Sequence, residues 1–354
     1  MSRAWTSVAG VALLGSGCAL PGEVLDTDTL IGKLEARFGF RQRRAAGAIA
    51  HRLGIHRRHS ARDFEHFGEG PRPGDGNPDL AARAVTAALA EAGLATDDLG
   101  YLIGHTATPA QQLPSNIALV ADRLRYDGPH AEFRQACTGF ANALAMAIGL
   151  LGVPGAAPVA IVGSETGSPF LDPRGVLAPG QLVNLVQMGD AAAAVVLARA
   201  DWPGAVGRPM LSHAWYGAIG RDQAPGLELA AGGSARPDAG MMRFEHDFGH
   251  VRTAGAALFG AHRGVLAEMG LAIDDAALVV PHQANGRIAA PLAELLGLHP
   301  GRVFVAAGDH GNTGSAAIWL AVDAARRSLA PGESLLALGA EATKHMYGGF
   351  RLVA

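Results

Sequence analysis

Short apolar runs alternate with helix-like segments through most of the chain. The apolar runs cover residues 8–14, 101–104, 159–165, 191–197, 277–281, 302–305 and 335–341, and the helix-like segments cover residues 78–92, 115–124, 140–151, 254–269, 287–296 and 314–328. In the segment after residue 139, Phe140, Leu144, Ile148 and Leu151 fall on one helical face. The alternation predicts an α/β architecture with mixed sheets covered by helices.

Parts of the sequence occur twice. Residues 89–98 (Leu-Ala-Glu-Ala-Gly-Leu-Ala-Thr-Asp-Asp) closely match residues 266–275 (Leu-Ala-Glu-Met-Gly-Leu-Ala-Ile-Asp-Asp), and each copy precedes a short apolar strand that leads to a histidine, His105 or His282. The same offset aligns the segment after Cys137 with residues 313–322, and one gap aligns residues 159–165 with 335–341. Three pairs in one order predict an internal duplication, with halves at residues 1–204 and 205–354. Residues 220–250 fit neither half and are predicted to be an inserted loop over a substrate cavity.

Composition limits the class of protein. Of the 354 residues 49% are hydrophobic and 17% are charged, which is typical of a compact fold and not of a disordered chain. The net charge of −3 gives no general attraction to nucleic acid, and no apolar run has the length of a membrane span. Because Cys18 and Cys137 lie in different contexts, we expect no disulfide and a cytoplasmic location. Eight arginines between residues 37 and 62 form either a solvated face or a docking surface for an acidic partner.

Three residues suggest chemistry. Cys137 is predicted to lie at a helix N-terminus, where the helix dipole favours a thiolate, although such a cysteine can equally be a small buried apolar residue. A duplication brings equivalent strand and helix ends together, and His282 and Asn312 lie at such ends. A cysteine nucleophile with two donors for a thioester carbonyl is a plausible acyl-transfer site. The alternatives are a structural histidine and an asparagine that caps a helix.

Four motifs carry a resemblance to a known family. Residues 135–140 (Gln-Ala-Cys-Thr-Gly-Phe), 188–192 (Met-Gly-Asp-Ala-Ala), 281–285 (Pro-His-Gln-Ala-Asn) and 310–313 (His-Gly-Asn-Thr) resemble, in order and spacing, motifs of the ketoacyl-ACP synthase III branch of the thiolase superfamily. The resemblance covers essentially the whole chain. It implies a thiolase-like five-layered αβαβα fold built from two duplicated halves with mixed sheets, and a homodimer.

The resemblance also implies a reaction. Cys137 would accept an acyl group from acyl-CoA or an acyl carrier protein, and His282 and Asn312 would bind the thioester carbonyl of a malonyl donor while it decarboxylates. The resulting carbanion would attack the acyl group and give a 3-oxoacyl thioester. CoA or phosphopantetheine thioesters would be substrates, and no cofactor or metal is expected. His246 and His250 share a spacing that suits a metal pair, but the sequence offers no third ligand segment.

Further residues are assigned by the same resemblance. Arg52 is retained where relatives contact a phosphate, but the nearby tryptophan that stacks on CoA adenine is missing, because residues 44–52 read Arg-Ala-Ala-Gly-Ala-Ile-Ala-His-Arg. A carrier-borne first donor is therefore plausible. Arg287 corresponds to the tunnel mouth and would hold phosphopantetheine or its carrier, and Leu113 corresponds to a loop that reaches the partner's acyl pocket. Plain solvation is the alternative for both arginines.

The C-terminal segment departs from the family pattern. Relatives carry a run of glycines that helps to form the oxyanion hole, and Gly339, Ala340, Glu341 and Ala342 stand there in this chain. An outward ion pair between Glu341 and Lys344 is one explanation of the departure, and the role of the neighbouring histidine at 345 stays open. An acyltransferase of the same fold that uses an alcohol or amine acceptor is therefore the alternative function.

Other classes fit less well. A degradative thiolase needs a second cysteine near the C-terminus, and none follows Cys137. A non-catalytic partner subunit would be expected to have lost the cysteine, histidine or asparagine. A papain-like peptidase or transamidase also orders Cys, His and Asn along the chain, but that architecture is not duplicated.

Overall fold

The computed structural model describes residues 4–65, 70–229 and 244–354. Its strands are β1 (Trp5–Ala19), β2 (Leu25–Asp26), β3 (Arg57–Arg58), β4 (Tyr101–His105), β5 (His130–Phe133), β6 (Val159–Glu165), β7 (Ala191–Arg199), β8 (Met210–Ala218), β9 (Leu227–Leu229), β10 (Phe244–His246), β11 (Leu278–Pro281), β12 (Ser334–Glu341) and β13 (Met346–Val353). Its helices are α1 (Thr27–Phe38), α2 (Arg43–Leu53), α3 (Asn77–Ala92), α4 (Asn116–Leu124), α5 (Gly139–Leu151), α6 (Pro179–Gln187), α7 (Phe248–Glu268), α8 (Ala289–Leu296), α9 (Ala307–His310) and α10 (Ala317–Ala325). None of the helices in these ranges combines the length and apolar character that a membrane span needs.

The sheet repeats one arrangement of strands. Nine of the described strands form one mixed sheet in the order β11-β12-β13-β8-β1-β7-β6-β4-β5. β4 and β6 are parallel, while β7 is antiparallel to both β6 and β1. In the second half β11 and β12 are parallel, while β13 is antiparallel to both β12 and β8. The prediction of duplicated halves with mixed sheets is therefore confirmed, and antiparallel pairing of β1 with β8 joins the halves into one sheet.

Side-chain alternation along the strands creates the layers. In β7, Ala193 packs in the central core with α5 and α10, and Ala194 packs on the other face with α3 and α4. In β12, Leu335 belongs to the same central core, and Leu336 packs with α7 and α8. Successive residues of a strand point to opposite faces, so each half-sheet is buried on both sides. The layers are thus helix, sheet, helix, sheet and helix, as the resemblance implied.

The turns of the sequence repeat are also duplicated in space. Gly93 and Gly270 end α3 and α7 with φ of 71° and 70°, a left-handed conformation that glycine adopts without steric cost. In the turns that follow, the Asp98 carboxylate accepts the Ala95 N–H at 2.7 Å, and the Asp275 carboxylate accepts the Ala272 N–H at 3.1 Å. Both turns then enter the parallel strands that lead to the two histidines.

Some predicted elements differ from the structure. Residues 302–305 do not form a strand, because Val303 makes a single parallel bridge to Val279 and residues 300–302 form a 3-10 turn. The Arg302 guanidinium donates to the backbone oxygens of residues 273, 274 and 276 and fixes this turn. The helix predicted from residue 254 begins at residue 248, and the one predicted for 314–328 is α-helical only over Ala317–Ala325.

The predicted inserted loop contains regular structure at both of its ends. Its residues 227–229 and 244–246 form the antiparallel pair of β9 and β10, and α7 begins before its predicted end. The middle of the predicted loop, residues 230–243, lies outside the described residues. The predicted boundary between the halves, at residue 204, falls in the connection between β7 and β8.

Candidate active site

The nucleophile turn, residues 135–138, connects β5 to α5. Cys137 is partly buried and lies two residues before Gly139, the first residue of α5, as the helical spacing predicts. Gly139 packs on the ring of His105 at the end of β4, and a Cβ there would lie 2.7 Å from the ring Nδ1. The close approach of helix to strand therefore requires glycine beside the cysteine.

A carboxylate occupies the first backbone donor after Cys137. The buried Glu341 side chain accepts hydrogen bonds from the Thr138 N–H and the Thr138 hydroxyl, each at 2.8 Å. Burial raises the pKa of the Cys137 thiol well above its usual range, and the charges of Glu341 and Glu165 raise it further. The helix N-terminus favours a thiolate, whereas burial and the two carboxylates act on the pKa of Cys137 in the opposite direction.

The histidine loop, residues 282–287, follows β11. The His282 N–H donates to the Leu338 carbonyl at 2.8 Å, which continues the ladder with β12 by one residue. The imidazole is buried, and burial lowers its pKa to about 4. Its Nδ1 has no hydrogen-bond partner among the described residues. At neutral pH His282 is thus a neutral imidazole that offers one N–H donor and one acceptor nitrogen.

The asparagine turn, residues 312–315, lies beside the end of α6. The Asn312 N–H donates to the Gln187 carbonyl at 2.8 Å, and its own carbonyl accepts the Gly189 N–H at 3.2 Å. Its side-chain oxygen accepts the Gly314 N–H at 3.1 Å, so a local structural role is real. The amide Nδ2 makes no hydrogen bond to any described residue and remains available as a donor.

Hydrogen bonds join the three segments at one end of the two half-sheets. The Ser315 hydroxyl of the asparagine turn donates to the Gln135 carbonyl of the nucleophile turn at 3.4 Å. The Gln187 side chain, next to the asparagine turn, donates to the Ala284 carbonyl of the histidine loop at 2.6 Å. The structure therefore brings the sequence-predicted cysteine, histidine and asparagine segments together, as the duplication predicts for equivalent strand and helix ends.

Two glutamates at equivalent strand ends bind the opposite half. Glu165 ends β6 and accepts the Ser315 N–H at 3.1 Å and the Ser315 hydroxyl at 2.8 Å, just as Glu341 ends β12 and accepts both donors of Thr138. The other Glu165 oxygen accepts the Ala107 N–H at 3.2 Å. Burial raises the pKa of Glu165, although its hydrogen bonds oppose that shift. In the sequence, Glu165 was noted only as part of the repeat. Its alignment with Glu341 was the feature that could have indicated a role in the site.

The predicted oxyanion loop is mostly a strand. Gly339 and Ala340 pair with residues 348 and 347 of β13, and Glu341 pairs with residue 346, so only Ala342 lies in the turn beyond β12. The Ala342 carbonyl accepts a hydrogen bond from the residue 226 N–H at 3.0 Å. Lys344 is exposed and donates to the carbonyl of residue 223. The outward Glu341–Lys344 ion pair, one of the explanations offered from the sequence, is wrong, since the carboxylate points inward to Thr138.

His262 of α7 was not identified from the sequence. Its ring is fully buried. The ring Nδ1 accepts a hydrogen bond from the Trp215 indole N–H at 2.9 Å, and the ring Nε2 lies 3.0 Å from the Gly339 carbonyl oxygen. Burial lowers its pKa to about 4, so the neutral ring bonds one donor and one acceptor. It thereby fixes the end of β12 next to Glu341. A single histidine within a helical segment gives no sequence signal of such a role.

The residues assigned to substrate or partner contact are exposed. Arg52 lies in the last turn of α2, and the Arg287 Nε of the histidine loop donates to the His51 carbonyl at 3.0 Å. The two arginines therefore lie next to each other beside the histidine loop. Leu113 is 85% exposed, which is unusual for a large apolar residue. Ala48 is also exposed on α2, in the segment where the sequence resemblance implies an aromatic residue in relatives.

Comparisons with known proteins identify the family of the chain. Residues 131–213 match the model of 3-oxoacyl-[acyl-carrier-protein (ACP)] synthase III, and residues 266–344 match the model of its C-terminal part. The chain is 33% identical to the beta-ketoacyl-[acyl-carrier-protein] synthase III of Rhodobacter capsulatus, over 88% of this chain and 89% of that protein.

Solved structures give the same result. The synthase III FabH from Pseudomonas aeruginosa PAO1 superposes with a TM-score of 0.77 and 30% identity, over 97% of this chain and 98% of that one. The tetronic acid condensing enzyme AbyA1 superposes with a TM-score of 0.85 and 28% identity, over 97% of this chain and 100% of that one. The resemblance stated from the motifs is confirmed. The chain belongs to the 3-oxoacyl-[acyl-carrier-protein] synthase III family of acyl-transferring condensing enzymes.

Proposed function

We propose that the protein joins an acyl group to a malonyl thioester by decarboxylative Claisen condensation. Cys137 attacks the acyl thioester, so that its sulfur forms a bond to the acyl carbon while the donor C–S bond breaks. The proton of Cys137 leaves with the donor thiol. No cofactor is proposed, and CoA or phosphopantetheine thioesters are the substrates.

The observation that carries this proposal is the pair of neutral donors beside the nucleophile turn. His282 is neutral because burial lowers its pKa to about 4, and the Asn312 Nδ2 makes no bond to the described residues. Both groups can donate to the malonyl thioester carbonyl as it becomes an enolate oxygen. A neutral imidazole serves this role without adding a charge that would bind and hold the departing carboxylate.

We further propose that an acyl carrier protein or CoA docks beside α2 and the histidine loop. Arg52 and Arg287 are exposed, adjacent and able to pair with a phosphate. Ala48 offers no aromatic surface for an adenine, which favours the carrier-borne donor. A homodimer is proposed as well, because the exposed Leu113 gains burial if it enters a partner's acyl pocket.

The test is intact-mass analysis of the purified protein with a panel of acyl-CoA and acyl-carrier donors. We expect one added acyl group, absent in Cys137→Ala, and release of carbon dioxide when malonyl thioester follows. Arg52→Ala and Arg287→Ala are expected to raise KM for carrier-borne donors more than for a simple thioester such as an acyl-N-acetylcysteamine. Acylation without any decarboxylation would contradict the condensing function.

A second candidate is acyl transfer to an alcohol or amine. It is favoured by the buried Glu341, which stands where the resemblance places glycines of the oxyanion hole. This candidate predicts that the acyl group on Cys137 disappears when a hydroxyl or amine acceptor is added, with no malonyl thioester present. The mass of the acylated acceptor would identify it.

A further inference from the structure

The contact between Glu341 and the nucleophile turn has a consequence for the cysteine itself. Free backbone N–H groups at a helix N-terminus stabilise a thiolate, and Thr138 carries the first N–H after Cys137, one residue before α5 begins. Here the Thr138 N–H already donates to the Glu341 carboxylate at 2.8 Å, and so does the Thr138 hydroxyl. The first backbone donor after the cysteine is therefore occupied by an anion, and the Cys137 N–H is the backbone donor that acts on the sulfur itself.

We propose that Glu341 is a positioning residue that fixes the nucleophile turn and keeps Cys137 a neutral thiol in the free enzyme. This role rests on the proposed function only in that Cys137 is the nucleophile. The Thr343 hydroxyl donates to the second carboxylate oxygen and holds the side chain in place. The arrangement is built into the duplicated fold, since Glu165 binds Ser315 in the same way at the equivalent helix.

The other titratable groups around the turn do not offset this charge. They are His105 at the end of β4, His282 in the histidine loop, Glu165 at the end of β6 and Tyr216 of β8, which receives a hydrogen bond from Gln135. Burial lowers the pKa of His105 to about 3 and that of His282 to about 4, and it raises the pKa of Tyr216. All three are uncharged at neutral pH, so the carboxylates dominate the field at the sulfur.

A neutral resting thiol suits the first chemical step. In the exchange of thioesters the Cys137 proton ends on the departing thiol, so the protein gains no charge when the acyl group arrives. The acyl-enzyme that results leaves Glu341 bound to Thr138 as before. The carboxylate therefore holds the same turn geometry in the free and acylated states.

The test measures the pH dependence of iodoacetamide alkylation of Cys137, read at the peptide level so that Cys18 does not contribute. Glu341→Gln keeps an oxygen for Thr138 and a polar group for Thr343 but removes the charge. We expect its alkylation midpoint to fall by about one pH unit, which corresponds to about tenfold faster alkylation at pH 7. Glu165→Gln is the matched control and is expected to shift the midpoint less, because its charge acts on the sulfur less strongly.

A purely structural cap would leave the alkylation profile of Glu341→Gln unchanged, and that result would overturn the proposal. An equal or larger shift in Glu165→Gln would also overturn it. If Glu341→Gln does not fold, Glu341→Asp is measured instead. It withdraws the carboxylate from the Thr138 N–H, so an unchanged midpoint there counts against the proposal. Alkylation needs no acyl substrate, so failure of the proposed condensation would appear only in the acylation assay.

Discussion

Truncating Phe140 should destabilise the protein strongly, because three aromatic rings meet where the two halves join. Phe140 is fully buried in the first turn of α5. Its ring lies edge-on to Trp319 of α10 at a centroid distance of 5.7 Å and to Phe350 of β13 at 6.0 Å. Trp319 and Phe350 stack on each other at 5.3 Å. All three elements belong to the central core.

The magnitude follows from these contacts. Replacing a buried Phe by Ala costs about 3–5 kcal/mol, which includes the cavity that remains. Each aromatic pair adds about 0.5–1.5 kcal/mol beyond the buried area. Since strands and helices of both halves surround the site, it has little freedom to collapse. We therefore expect Phe140→Ala to lower the free energy of unfolding by the upper part of that range, about 4–5 kcal/mol.

The measurement is equilibrium unfolding in urea, followed by fluorescence and circular dichroism together. A double-mutant cycle with Phe350→Ala isolates the pair, and we expect a coupling energy of about 1 kcal/mol. Val206→Ala is the control, because Val206 is 94% exposed, and it should change stability by less than about 0.5 kcal/mol. A Phe140→Ala cost below about 2 kcal/mol, or additive single mutants, would refute the packing argument.

Three further predictions concern the ion pair between Arg326 and Glu91, the close packing around Gly163 and the donor role of His282. Arg326 donates to both oxygens of Glu91 at 2.5 and 2.6 Å; burial raises the carboxyl pKa, but these bonds bring it below its usual value. A carboxyl group whose pKa is lowered in the folded protein adds stability at pH values above its unfolded pKa, and this stability is lost as the pH falls through the folded pKa. Glu91→Gln should therefore lower the free energy of unfolding by about 1–3 kcal/mol at pH 7 and by less near pH 3. An equal loss at both pH values would contradict this. A Cβ on Gly163 would lie 2.3 Å from a backbone oxygen, so Gly163→Ala should lower the free energy of unfolding, measured by thermal unfolding, by at least about 1–3 kcal/mol. Gly149→Ala is the control and should be neutral or stabilising, because a Cβ on Gly149 would have no atom within 4 Å. His282→Ala should retain the acyl-enzyme in mass spectra but lose carbon dioxide release by about a hundredfold or more, and normal release would exclude the assigned donor.

Much of the fold could be predicted from the chain because local patterns and tertiary structure agree. The apolar runs that became β6 and β7 are bounded by turns and are buried on both faces, which is the situation in which short apolar runs identify strands. The run at residues 302–305 has the same local pattern, but it makes only one bridge. It lies at the sheet edge beyond β11, where the Arg302 contacts decide the backbone course, and no local pattern reports such contacts.

The candidate site divides in the same way. The positions of Cys137, His282 and Asn312 at strand and helix ends follow from the repeat, since a duplicated fold places equivalent ends together. His262 could not be found, because its role depends on Trp215 and on a carbonyl of β12 that are distant in sequence. The strand over residues 335–341 follows from the apolar run and the repeat, but the contact of the Glu341 side chain with Thr138 could not be found, because those two residues are distant in sequence.

The sequence by itself determined the duplication, the family and the candidate site residues, because these depend on motifs and their order. Only the tertiary structure shows which groups act on the pKa of the Cys137 thiol. Helix position alone predicts a thiolate at Cys137, whereas burial and the Glu341 carboxylate raise its pKa. Glu341 is far from Cys137 in the sequence and reaches Thr138 only through the folded arrangement of the two halves. Long-range charge and desolvation are properties of that arrangement, so no local pattern contains them.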